Sequence, residues 1–130
     1  MKIESNLPTR GQLERKLSQT LQSLYRDLFG HSPANFVCHI FGDNIAILVE
    51  DAITMVEKLL LKNAYLDLAI NVRSTVDKIF TLQVETKIEE ILNVEVIKVI
   101  SNSCLESNYL GMIVILDNKP ATRLNRKSSK

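Results

Sequence analysis

Leucines 13, 17, 21, 24 and 28 recur at intervals of 4, 4, 3 and 4, the spacing that gathers side chains on one stripe of an α-helix. Polar residues from Gln12 to Asp27 fill most of the other face. Thr9 is placed to cap this helix, Gly30 to end it and Pro33 to stop it resuming. The pattern then changes. The runs Phe36–Phe41 and Ile45–Val49 are β-branched or aromatic and of strand length, and the turn formers Gly42, Asp43 and Asn44 separate them. They predict a β-hairpin. Along its first strand Val37, His39 and Phe41 share one face, and Phe36, Cys38 and Ile40 share the other.

No Gly or Pro occurs between Gly42 and Gly111, which favours helices in the first part of that stretch. Apolar spacing predicts a short helix from about Ile53 to Asn63 and a long one from about Tyr65 to Leu92. At 1.5 Å per residue the long helix is ~40 Å, whereas four strands span only ~15–20 Å. Part of it should therefore overhang its sheet. An overhanging apolar stripe needs a partner, and a symmetric dimer is the commonest answer. Val94–Ile100 and Tyr109–Leu116 predict two last strands, joined by a polar loop over 101–108. Residues Ile113 to Leu116 are all apolar, so the second face of the sheet is also expected to be covered.

The resulting fold class is α+β. Two layers are expected, with a four-stranded, mostly antiparallel sheet built from two hairpins and helices on one face, in the order α-β-β-α-α-β-β. Residues 1–8 read as an N-terminal arm, 9–117 as a single domain and 118–130 as a basic disordered tail. A length of 130 residues fits one domain and is too short for a TIM barrel. Seven Gly and Pro residues argue against disorder and against a turn-rich all-β fold.

Net charge is +1, which points away from a nucleic-acid binder. Five of the 16 basic residues and none of the 15 acidic ones lie beyond Asp117, so the rest of the chain carries −4. Without interleaved aromatics the tail offers RNA or acidic lipid only a salt-sensitive contact. The two cysteines, Cys38 and Cys104, are too few for a disulfide framework and read as reduced thiols. No apolar run reaches the ~18–20 residues of a membrane span, and the first residues lack a signal-peptide pattern. A cytoplasmic protein is expected.

Candidate chemistry is sparse. Cys38 and His39 point to opposite faces of a strand and cannot share a metal. Gly30, His31, Ser32 and Pro33 lie at a helix C-terminus, the wrong end for an anion. Gly42–Asp43 lacks the spacing of a phosphate loop. Arg73 and Asp77 form an i,i+4 pair, worth a few tenths of a kcal/mol if exposed and more interesting if Arg73 is buried or faces a partner. Glu85, Glu89 and Glu90 lack the Glu-x-x-His pairing of a di-metal bundle. No Ser/His/Asp set or paired carboxylates stand out. No catalytic residue, metal or cofactor is assigned.

Several stretches together resemble the MpsC-like family, named after a component of a sodium-translocating, membrane-potential-generating system. They are Gln12-Leu-Glu14, Leu28-Phe-Gly30 with Pro33, the hairpin Val37–Val49 around Phe41-Gly-Asp43, Glu57 and Leu60, Asn71-Val-Arg73, Ile88-Glu-Glu90, Asn93–Val96 and Val114–Asp117. The resemblance covers residues 9–118. It departs from the family at His31 and Ser32, where Arg-Gly is usual, and at Ser101–Ser103, where an Asp is usual. It implies a non-enzymatic, soluble accessory or regulatory interaction module linked to ion or bicarbonate transport, with a protein partner that is membrane-associated in that setting; the homodimer is expected from the overhanging helix and the apolar sheet face. A small-ligand sensor and an RNA-associated module using the basic tail are the alternatives. Gly30, His31, Pro33, Gly42, Asp43 and Arg73 are the candidate ligand- or partner-binding residues.

Overall fold

The computed structural model describes residues 6–123. Helix α1 spans Arg10–Phe29. The Gln12 N–H donates to Thr9 Oγ1 at 3.1 Å and the Thr9 N–H donates to Gln12 Oε1 at 2.8 Å, a reciprocal capping box. Gly30 ends the helix at φ +66°, its N–H donating to the Arg26 carbonyl. Leu13, Leu17 and Leu21 are buried as the stripe predicts, but Tyr25 takes the fourth place and Leu28 is 40% exposed. The reason is aromatic packing at the helix end. Tyr25 sits edge-on to Phe29 and to Phe80, with centroids 4.9 and 5.0 Å apart, and Leu28 is left outside that cluster.

Strands β1 (Asn35–Phe41) and β2 (Asn44–Glu50) form the first hairpin. Its two-residue loop has Gly42 at φ +62°, as a type II′ turn requires. Helices α2 (Met55–Lys62) and α3 (Leu66–Leu92) follow, then strands β3 (Val96–Cys104) and β4 (Tyr109–Leu116). All neighbours in the sheet order β1-β2-β4-β3 are antiparallel. The fold is therefore α+β in the order α-β-β-α-α-β-β. Helix α1 lies against β1 and α3 against β3. Alternate strand residues such as Cys38, Ile47, Met112 and Val114 face Leu17, Leu21, Phe80, Val84 and Ile88 in one core.

Three stretches differ from the sequence expectation. Ser101 to Cys104 extend β3 rather than open a loop, pairing from Ser101↔Met112 to Cys104↔Tyr109. Their polar side chains hide a strand because β3 is an edge with little to bury. Residues 118–123, expected in a disordered tail, fold back: Pro120 is buried and the Arg123 N–H donates to the Pro8 carbonyl at 2.8 Å. The remaining tail residues, 124–130, and residues 1–5 of the arm lie outside the described residues. The second face of the sheet, expected to be covered, is open among the described residues of the single chain. Val37, Ala46, Leu48, Ile100 and Ile113 line a hollow of about 480 Å³ there.

The two sheet edges are treated differently. On β1 the Cys38 N–H donates to Ser18 Oγ at 3.1 Å and the Ile40 N–H to Glu14 Oε2 at 2.8 Å, so α1 side chains seal that edge. On β3 the Val96 N–H donates to Glu89 Oε2 at the strand's entry.

Asn108 ties the β3–β4 turn to the linker after β2. At φ +64° its carbonyl accepts from the Asp51 and Ala52 N–H groups, its Oδ1 accepts from the Ile53 N–H at 2.7 Å, and its Nδ2 donates to Asp51 Oδ1. Asn108→Ala removes both side-chain bonds and leaves a β-carbon in left-handed backbone. Urea denaturation should show a loss of about 1–3 kcal/mol, against a smaller loss for Asn63→Ala, which removes one exposed bond to the Leu59 carbonyl.

Candidate functional site

Helix α2 is held by its one buried residue, a glutamate. Thr54 caps the helix, and both its N–H and its hydroxyl donate to Glu57 Oε1, at 3.2 and 2.8 Å. This capping box turns Glu57 inward. Met55, Val56 and Leu59 consequently face outward at 75, 61 and 59% exposure.

Arg73 receives the carboxylate. It occupies the core stripe of α3 between Ala69 and Phe80 and is itself buried. Its Nη1 donates to the Ala52 carbonyl at 3.1 Å and lies 3.4 Å from Glu57 Oε1. Its Nη2 donates to Tyr25 Oη at 2.9 Å and lies 3.2 Å from Asp77 Oδ1. The Tyr25 hydroxyl donates in turn to the same Ala52 carbonyl at 2.6 Å. On the far side Ser103 Oγ donates to Asp77 Oδ2, which brings in β3. Glu57 Oε2, Arg73 Nε and Asp77 Oδ1 are buried without hydrogen-bond partners.

Two carboxylates thus share one guanidinium in a dehydrated space. Burial raises the Asp77 carboxyl above the usual range; the Ser103 bond and Arg73 oppose this, and Glu57 adds to it. Burial likewise raises the Tyr25 hydroxyl, against the pull of Arg73. For Arg73 burial acts downward, but Tyr25, Asp77 and Glu57 outweigh it and strengthen its hold on its proton. Asp51, in the same linker, goes the other way. Burial acts upward on it, yet the Asn108 bond and then Lys58 hold its carboxyl low.

The cluster opens sideways into a groove of about 750 Å³ between α3 and β3, where Arg73, Asp77, Lys78, Leu82, Asn102 and Ser103 are among the lining residues. Of the residues singled out from sequence, Gly30, His31 and Pro33 share this end of the fold with Arg73. The His31 Nε2–H donates to the Asp51 carbonyl at 2.7 Å, one residue from the carbonyl that Arg73 holds. The Pro33 carbonyl accepts from Gln22 Nε2 at 3.1 Å. Gly42 and Asp43 lie at the opposite end of the seven-residue strand β1, where the Asp43 carbonyl accepts from the Leu116 N–H. The structure does not bring them to Arg73. Cys38 is buried, its thiol pushed up to about 11 by burial, while its neighbour His39 is exposed on the other face. Cys104 is exposed, and a bond from Ser107 lowers its thiol. Among the described residues no group of three or more His, Cys, Asp or Glu is placed to hold a metal.

Sequence reasoning passed over Tyr25 and Thr54, and met Glu57 and Ser103 only through a family resemblance. The Thr54-x-x-Glu57 spacing was the available signal for two of them.

The fold and its buried ionic end define a small α+β domain, and among its described residues no helix is long and apolar enough to cross a membrane. The sequence model of the family described as Na+-translocating membrane potential-generating system (MpsC) matches residues 9–118, so the chain belongs to the MpsC family. No curated protein and no solved structure matches the chain.

Arg73→Met leaves two buried carboxylates without their cation. It should cost about 3–5 kcal/mol in chemical denaturation, and adding Glu57→Leu should restore part of the loss. Asp77 gives a pH signature. Because its folded pKa is raised, its contribution is present at low pH and lost as pH climbs from the ordinary carboxylate value, about 4, through the raised one. The stability of Asp77→Asn relative to the native chain should therefore rise with pH from about 4 upward. A difference that stays flat across that interval contradicts the assignment.

Proposed function

We propose that this chain is a non-catalytic accessory module of a membrane ion-transport system, acting through protein–protein contacts as a homodimer. The family description supports the setting. One observation carries the interaction reading: the core stripe of α3 runs on beyond the sheet it covers. Leu66 and Ile70 continue the helical face of Ala69, Arg73 and Phe80, yet they are 55 and 48% exposed. Helix α2, anchored beside them by the Glu57–Arg73 contact, adds Met55, Val56 and Leu59. An apolar patch of this kind marks an interaction surface, and a two-fold axis covers it with its own copy.

Light scattering on the full chain tests this. A dimer is expected, and Leu59→Asp combined with Leu66→Asp should yield a monomer. Both side chains are exposed, so each change should shift monomer stability by less than about 0.5 kcal/mol. A native chain that is monomeric at high concentration overturns the dimer, and a dimer indifferent to these substitutions overturns its placement on α2 and α3.

A further inference from the structure

We infer that the groove between α3 and the free edge of β3 binds an extended peptide segment of another protein, which adds to the sheet as a fifth strand. The contrast between the two edges motivates this. Side chains of α1 occupy backbone N–H groups on β1, whereas among the described residues β3 receives a comparable bond only at its first residue, Val96. From Lys98 to Cys104 its register with β4 is continuous, after the irregularity between Val96 and Lys98. That stretch contains no Pro or Gly, and an unguarded edge of this sort is a template for another strand.

The groove supplies the space and the selectivity. Its volume of about 750 Å³ lies within the roughly 300–1,000 Å³ of ligand clefts. One wall is a strand edge at Ser101–Ser103 and the other is a helix, the arrangement in which main-chain bonds give affinity and alternate side chains give specificity. Ile70, Leu82 and Leu105 offer apolar contact. Asp77 is engaged by Arg73 and Ser103, while Lys78 makes no ion pair among the described residues. Arg73 also lines the groove with its Nε–H unpartnered. The uncommitted charge in the groove is positive, so the peptide that fits it alternates apolar and polar residues and carries an acidic one opposite Lys78. The groove shares Ile70 with the proposed dimer surface, but neither Leu59 nor Leu66 lines it, so Leu59→Asp with Leu66→Asp separates the two readings.

Selection of random decapeptides displayed on phage, using the full-length chain as bait, followed by fluorescence polarisation of the selected peptide, is the test. Alternating sequences with an acidic residue are expected. Methylating alternate backbone nitrogens of the peptide should weaken binding at least tenfold, as loss of a strand's donors requires. Lys78→Glu, an exposed change that leaves the core intact, should weaken it at least tenfold, and exchanging the peptide's acid for lysine should restore binding to that variant. Failure to enrich any sequence overturns the inference, as does affinity that survives both N-methylation and Lys78→Glu. Peptide binding that splits a dimer of the chain also overturns it, because the edge then belongs to a second copy.

Discussion

The carbonyl of Ala52 accepts two buried hydrogen bonds, one from the Tyr25 hydroxyl and one from the Arg73 guanidinium. Those two donors stand near the end of α1 and in the first third of α3. The linker between β2 and α2 is therefore pinned from both sides, and Arg73 extends the hold to Glu57 on α2 and, through Asp77 and Ser103, to β3. A buried ion pair is weak evidence of net stability, because dehydrating the charges offsets most of their attraction. Its stronger effect is on geometry. Burying Met55, Val56 and Leu59 instead would gain roughly 1.5–3 kcal/mol for each large side chain, set against Leu60 and Leu61, which the observed face half-buries. Rotating α2 would expose those two leucines and break the Glu57 contacts with Arg73 and Thr54.

That choice organises the surface. The end of the molecule where α1, α2 and α3 converge is polar within and apolar without, the inverse of the rest of the fold. Along the core proper, Leu17, Phe80, Val84 and Ile88 obey the ordinary rule and are fully enclosed. The sheet is similarly asymmetric: one face is packed, one edge is sealed by α1, and the remaining face and the β3 edge are left unpartnered among the described residues.

Most of the scaffold was legible in the sequence because local chemistry decides it. Thr9, Gly30 and the leucine spacing define α1; Gly42 with its flanking β-branched runs defines the first hairpin; apolar periodicity defines α2 and α3 to within a residue or two. What stayed hidden depends on tertiary partners. Arg73 stands in step with Ala69 and Phe80, yet a charged residue on an apolar stripe reads as a surface interruption until Tyr25 and Glu57 are seen to meet it. Ser101–Ser103 looked like a loop because an edge strand can be polar along its length. Pro120 and Arg123 looked like tail because a single buried ring and one backbone bond to Pro8 leave no periodic trace.

Helix α2 has an unusual division of labour along its eight residues. Its orientation is specified by Glu57 with the threonine that caps it, and by Leu60 and Leu61, half-buried on either side of that glutamate. Met55, Val56 and Leu59 are consequently released from any duty to the interior. Related chains could exchange these three positions for residues of another size or polarity and still fold alike, provided Thr54, Glu57 and Arg73 remain. Recognition on this face can therefore drift or be retuned independently of the scaffold that presents it.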